Sequence, residues 1–510
     1  MIMNRTKPER PAGKRAGLAA ACVIFSVSSI LWGVSIWLGM TFNINFQEIL
    51  YTMTSPLVGT DPGVVLKCLR ACLPHICLAA LFILTAAVIV MLQRRITATL
   101  TVQFRGKRRQ ADLFRLARRA MGVISILALF WAFRALYVNL KVGEYIALRR
   151  NPTTIYEDRY VDPAKAAVTA PEQKKNLIHI YLESMETSYA SEDVGGRQPE
   201  HNYIPELTAL ARENVSFSNS EQLGGFRAVS GTTWTMGALF AATSGLPFSF
   251  PVGENAMNRH EEFASGCTTL GDILEDNGYR NVFLCGSDAT FGGRRRYYQQ
   301  HGNFDIYDLF TAREEGYIPQ DYKVWWGYED EILYWIARDK LTDLARSGQP
   351  FNFNMLTVDT HHVDGYVCPL CRDDYPTVTG NVVACADRQA ADFIQWCREQ
   401  DFYEDTVIVI TGDHPRMDAS LVDGLEYDHR TVYNCFLNCC LPARTVNREF
   451  TAVDLFPTVL TALGFSFEGD QLGFGVDLFS DSDTLSEVMG FQALNEEFAK
   501  YSPFVEEHLS

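Results

Sequence analysis

DTVIVITGDHP, Asp405–Pro415, is a short continuous apolar run that stops at a small residue and is followed at once by an Asp-His pair. Three other runs share this texture: NLIHIYLES from Asn176, NVFLCGSD from Asn281 and FNFNMLTVDTHH from Phe351. Each is short enough for a strand and too uniformly apolar for one with a wet face. Helical patterns such as CADRQAADFIQWCREQ from Cys385 lie between them. Buried strands alternating with helices predict an α/β fold, a central and mostly parallel sheet covered by helices.

Ligands bind such sheets at the carboxyl ends of the strands. The residues there are Glu183, Asp288, the group Asp359, His361 and His362, and the pair Asp413-His414. Any one of them reads equally well as an ordinary loop residue. Several carboxylates and imidazoles converging on adjacent strand ends predict a divalent metal site.

A reactive group is sought in GTTWTMGALFAATSGLP, Gly231–Pro247. Met236, Leu239 and Phe240 fall on one helical face, and Gly245 followed by Pro247 ends the helix. That spacing puts the helix start at Gly231 to Thr233, where backbone amides favour an anion such as phosphate or sulfate. A threonine there is either an N-cap or a nucleophile, and spacing leaves both open.

The remainder of the chain sets the context. Of its 510 residues, the first 150 hold 20 Lys and Arg against 5 Asp and Glu, and the rest hold 25 against 56. An acidic globular part excludes nucleic acid as partner, because phosphate backbones require basic clusters. The basic part contains three apolar stretches that read as membrane spans, residues 18–42, 74–92 and 121–140, the last interrupted by Arg134. The N-terminus and the loop 93–119 are rich in Lys and Arg, whereas 42–63 has none. Positive-inside bias therefore predicts a multi-pass cell-membrane protein with everything after about residue 141 outside. Residues 141–172 read as a polar linker and 173–510 as the exported catalytic domain. Nine cysteines fall in the exported part: Cys267, Cys285, Cys368, Cys371, Cys385, Cys397, Cys435, Cys439 and Cys440. For Cys368, Cys371, Cys385 and Cys397 a disulfide or loop staple is the expectation, ahead of zinc, because no histidine completes a metal-like spacing. Glu186 reads as a solvated residue, Arg430 as part of a surface turn and Asp454 as a helix cap.

IYLES, GTTWT…SGLP, LTVDTHH and VIVITGDH, in this order behind membrane spans, resemble the lipoteichoic acid synthase and phosphoglycerol transferase group of the alkaline phosphatase/sulfatase superfamily. The resemblance covers roughly residues 175–480. It implies one divalent cation, manganese first with magnesium or zinc as alternatives, held by Glu183, Thr232, Asp413 and His414. Counting back from Gly245-Leu246-Pro247, it implies Thr232 as the nucleophile; it implies His361 and Arg294 as the groups that hold the substrate. Glycines stand in DATFGGRRRYY where the synthases carry a tryptophan. The implied reaction moves glycerophosphate from phosphatidylglycerol to an envelope glycan or teichoic-acid-like acceptor through a phospho-threonine. A phosphoethanolamine transferase or a sulfatase-like hydrolase is the alternative within enzymes. A sulfatase proper needs Cys or Ser at the nucleophile, which Thr232 does not supply. Outside enzymes the alternative is an inactive membrane-anchored binding or sensor protein.

Overall fold

The computed structural model describes residues 2–4, 13–41, 62–104, 107–249, 262–439 and 444–509, which fall into two compact units. Residues 42–61 of the expected outer loop, and Cys440, lie outside the described residues.

The first unit contains three helices long and apolar enough to cross a membrane, α1 (Gly13–Thr41), α2 (Leu73–Arg95) and α3 (Leu113–Asn139). Each begins before the apolar stretch read from the sequence, because backbone hydrogen bonding carries the helix past the last apolar residue. α1 packs on both others. Phe25 stacks on Phe82 with ring centroids 4.0 Å apart, and Ser125 Oγ donates to the carbonyl of Ala21 over 2.8 Å. Arg134 lies over the ring of Trp131, 5.3 Å from its centroid, which gives the charge inside the third stretch a partner. The basic loop after α2 is a hairpin of strands Thr97–Phe104 and Lys107–Asp112, and the N-terminal strand Ile2–Asn4 pairs antiparallel with its first strand.

The second unit is built on six strands: β1 (Asn176–Leu182), β2 (Arg280–Cys285), β3 (Asp305–Tyr307), β4 (Phe351–Leu356), β5 (Thr406–Gly412) and β6 (Asn434–Leu437). Their order is β3-β2-β4-β1-β5-β6, parallel except for the antiparallel edge strand β6. Alternate side chains enter two cores. Leu177, Tyr181, Val407 and Val409 join one, while Ile178, Ile180, Ile408 and Ile410 join the other. A sheet with apolar cores on both faces explains why its strands read as unbroken apolar runs. The buried asparagines form a chain across the sheet: Asn354 Nδ2 donates to Asn352 Oδ1 over 2.6 Å, and Asn352 Nδ2 to Asn281 Oδ1 over 2.9 Å.

Two boundaries differ from expectation. The segment 141–172 holds the helices Val142–Arg150 and Ile155–Arg159, and Ile155 and Tyr156 sit in the core of the second unit. Only a few apolar residues anchor it, too few to show a period. The helix expected from Gly231 begins at Thr235 instead: α4 spans Thr235–Ser244, with Trp234 extended before it (φ −142°, ψ 159°). Gly245 ends it in the left-handed region, as read from the sequence.

Candidate active site

Three adjacent strands, β4, β1 and β5, deliver the site from their carboxyl ends. Glu183 follows β1 directly, and Asp413 and His414 follow β5. Their ligand atoms all lie within 4.8 Å of one another, and all three residues are buried. His414 Nε2 stands 3.4 Å from Asp413 Oδ2 and 3.7 Å from Glu183 Oε1.

The backbone aims these groups. Ser184, in the left-handed region at φ 51°, turns the chain so that its amide donates to Asp413 Oδ1 over 2.7 Å, and the His414 amide donates to the same oxygen over 2.8 Å. Ser184 Oγ donates to Glu183 Oε1 over 2.7 Å. His414 Nδ1 lies 2.9 Å from the carbonyl of Pro415, which only accepts; Nδ1 therefore carries the proton and Nε2 keeps its lone pair. Asp413 Oδ2 is buried and has no hydrogen-bond partner among the described residues. An imidazole lone pair, an orphaned carboxylate oxygen and a second carboxylate form a donor set suited to a divalent cation.

Electrostatics agree. Burial pushes the Asp413 carboxyl up to about 7, with the neighbouring Glu183 charge adding to it. Burial would also raise Glu183, but His361, His414 and the hydroxyls of Ser184 and Thr235 outweigh it and hold this carboxyl below its ordinary value. Two carboxylates crowded without a counter-charge are costly, and a cation removes the cost.

The threonine brought to this group is Thr235. Its Oγ1 donates to Glu183 Oε2 over 3.3 Å and stands 3.4 Å from His414 Nε2. Thr232 is placed elsewhere, which corrects the expectation from spacing. Its hydroxyl donates to the carbonyl of Val229 and accepts from the amide of Val229, both at 2.9 Å, inside a tight turn led by Gly231 at φ 85°. That turn delays the helix start, so the first helical residue is Thr235 and the turn residue is Thr232. The sequence signal was present: Gly-Thr-Thr is a turn with β-branched residues, and the helix-forming composition starts only after Trp234.

His361 sits past the end of β4, with Nδ1 2.7 Å from the carbonyl of His362 and its ring 4.6 Å from that of Trp326. Burial lowers its proton affinity. Trp326, in the loop before the helix α5 (Asp330–Ser347), places a tryptophan beside His361 where DATFGGRRRYY has none; a residue in a loop without periodicity gives no sign of this. Arg294 is 6% exposed and braces its own loop: Nε donates to the carbonyl of Phe291, and Nη2 to Ser287 Oγ and the carbonyl of Asp288, each at 3.0 Å. The structure does not bring it into the carboxylate–imidazole group. Asp288 caps that loop through the Thr290 amide at 2.8 Å.

A buried ionic frame supports the site. Arg416 is fully buried and forks onto Asp418, Nε to Oδ1 at 2.6 Å and Nη2 to Oδ2 at 3.0 Å, while Nη1 donates to the carbonyl of Thr360 over 2.8 Å. Glu186, expected to be solvated, is fully buried; it accepts from the Arg416 amide and pairs with Arg430 Nε at 3.0 Å. Arg430, expected in a surface turn, is 6% exposed. The frame ties the chain after His414 to the chain before His361, and its members come from segments too distant in sequence to show a motif.

A family model described as Sulfatase matches residues 175–465. The chain belongs to the sulfatase family. Glu183, Thr235, His361, Asp413 and His414 all fall within that sulfatase segment. Among curated relatives, a protein named phosphoglycerol transferase I from Xanthomonas euvesicatoria pv. vesicatoria is 30% identical over 338 residues, covering 64% of this chain and 46% of the relative. Its namesake from Salmonella choleraesuis is 34% identical over 339 residues, covering 64% and 42%. The chain thus spans less than half the length of these relatives. In fold, it is similar to the integral membrane protein lipooligosaccharide phosphoethanolamine transferase A from Neisseria meningitidis, at TM-score 0.50 and 15% identity, over 87% of this chain and 84% of that one.

Proposed function

We propose that the chain is a membrane-anchored phosphoglycerol transferase that moves glycerophosphate from a phosphatidylglycerol-type lipid to a hydroxyl of an envelope glycan or teichoic-acid-like polymer. The observation that carries this reading is Thr235: a hydroxyl at the first residue of a helix, set against Glu183 and His414 at the carboxyl ends of a parallel sheet. The names of the relatives supply the glycerophosphate head group, and three apolar helices ahead of the domain suit a lipid donor.

Glu183, Asp413, His414 and the Thr235 oxygen would hold one divalent cation, manganese first, with magnesium or zinc as alternatives. When bound, it supplies charge that lowers the proton affinity of the Thr235 hydroxyl and polarises a phosphoryl oxygen. Thr235 Oγ1 attacks phosphorus in line, the bond to diacylglycerol breaks, and glycerophospho-threonine forms. An acceptor hydroxyl then attacks phosphorus and Thr235 is restored. The net change carries the acceptor's proton to the diacylglycerol oxygen. The first amides of α4 stabilise the negative phosphoryl group, because a helix N-terminus favours an anion. His361, its Nδ1 held on the His362 carbonyl, presents Nε2 to a glycerol hydroxyl, and the Trp326 ring beside it covers the apolar edge of the glycerol.

The basic hairpin and N-terminus belong on the cytoplasmic side, the three helices cross, and the sulfatase-like domain from about residue 173 faces outward. The direct pairing of strand Ile2–Asn4 with the hairpin supports one side for both basic segments.

The test incubates the full chain with head-group-labelled phosphatidylglycerol and Mn2+. Diacylglycerol release dependent on Thr235 supports the reading; ethanolamine transfer from phosphatidylethanolamine with no release from phosphatidylglycerol overturns it.

A further inference from the structure

The loop that carries His361 runs on to a cluster of thiols outside the site described above. Cys368 Sγ lies 3.7 Å from both Cys371 Sγ and Cys385 Sγ, and all three sulfurs fall within 4.8 Å of one another. Cys368 and Cys371 flank Pro369-Leu370 in the loop, and Cys385 projects from helix α6 (Val378–Arg398). Cys397, expected with this group, is instead buried in the apolar core, twelve residues further along α6. No disulfide joins any two cysteines among the described residues.

Four features bear on what the cluster holds. A tetrahedron with Zn–S arms of ~2.3 Å has edges of ~3.8 Å, whereas a disulfide needs ~2.05 Å, and the two 3.7 Å separations match the tetrahedral edge. The spacing Cys-x-x-Cys is that of a zinc knuckle, with the third sulfur arriving from a separate element. Gln389 Nε2 donates to Cys385 Sγ over 3.5 Å and to Cys368 Sγ over 3.8 Å, and amide donors to sulfur are the outer contacts of a metal thiolate. Arg388, one residue away, has a buried Nη2 with no hydrogen-bond partner among the described residues.

We propose that Cys368, Cys371 and Cys385 bind a zinc-class divalent cation, with water in the fourth position on the partly exposed Cys371 side, pinning the His361 loop to α6. Binding releases the thiol protons to solvent and makes three metal–sulfur bonds. Three thiolates and one dication leave a single negative charge, which Arg388 offsets. The site is independent of the transferase reading: it contains none of the groups proposed for phosphoryl transfer.

The experiment uses full-length protein in detergent, loaded with Co2+ in place of the native metal. A thiolate-to-cobalt charge-transfer band identifies this site, because Glu183, Asp413, His414 and Thr235 contain no sulfur. The band is expected in the wild type, in Asp413→Asn and in Cys397→Ser, and is lost in Cys371→Ser and Cys385→Ser. In the Asp413→Asn background, protein purified without added metal should hold one zinc per chain, falling to none when Cys371→Ser is added. A wild-type protein that shows no band after reduction, and whose peptides isolated without reductant show a disulfide within the trio, overturns the proposal. A band that survives Cys371→Ser and Cys385→Ser overturns it equally. Because the wild-type spectrum decides by itself, misfolding of a variant does not shield the proposal.

Discussion

The Thr235 hydroxyl donates to Glu183 Oε2 over 3.3 Å, joining the first residue of a helix to the residue that ends a central strand. Thr232, three residues earlier, spends its hydroxyl on its own turn. The two threonines therefore separate in their consequences. Thr235→Ala should lower transfer by roughly 10³-fold or more, as loss of a nucleophile does, with the fold intact. Thr232→Ala should retain most turnover and lose about 1 kcal/mol of stability from the buried hydroxyl. Diacylglycerol release and thermal melting of the two variants measure both effects.

Asp413→Asn leaves the volume of the site unchanged and removes a buried negative charge. Metal affinity should fall by about 10-fold to 1,000-fold, and activity should recover partly at high Mn2+. Titration of activity against free Mn2+ after chelation reports the shift; an unchanged half-saturation would remove Asp413 from the metal site.

The paired charges Arg416 and Asp418 are both buried, so truncating one strands the other. Asp418→Ala should cost about 3–5 kcal/mol by denaturant unfolding, well beyond an exposed pair. Trp326→Ala should act differently, raising the lipid KM by about tenfold with less change in kcat, since a ring contact beside His361 is worth about 1–1.5 kcal/mol.

Stability should also carry a pH signature remote from the site. Burial raises the carboxyls of Asp387 and Asp454 to about 7 and that of Asp477 to about 6. Raised folded values mean that the folded chain binds more protons than the unfolded one between the ordinary carboxylate range and these values. Stability is therefore greatest at the acidic end of that window and falls as pH rises through it. The second unit's melting temperature should be higher at about pH 5.5 than at about pH 8, and Asp387→Asn should narrow the difference. A melting temperature that climbs between those two values would contradict the assignment.

Much of this was legible in the chain because the sheet is buried on both faces. Strands such as Thr406–Gly412 cannot hide their pattern, and a parallel sheet fixes where Glu183, Asp413 and His414 must emerge. Strand ends therefore put Glu183, Asp413 and His414 among the candidates, and the resemblance singled them out. Thr235 was missed because a one-turn error in a helix start moves a hydroxyl to another neighbour, and the positive φ of Gly231 that delays the helix cannot be read from spacing. The resemblance implies Arg294 as a substrate contact, whereas the turn through Gly292 and Gly293 folds its guanidinium back onto Phe291 and Ser287. Trp326, Arg416 and Glu186 reach their places only through tertiary packing, so no local pattern announces them.

The central claim is that Thr235 forms the covalent glycerophosphate ester. The most direct measurement traps the wild-type enzyme with phosphatidylglycerol and divalent metal in the absence of acceptor, quenches it in acid and maps the modified peptide by fragmentation mass spectrometry. A glycerophosphate adduct on Thr235, absent from Thr235→Ala, is the predicted result; an adduct on Thr232, or one that persists in Thr235→Ala, would contradict the account.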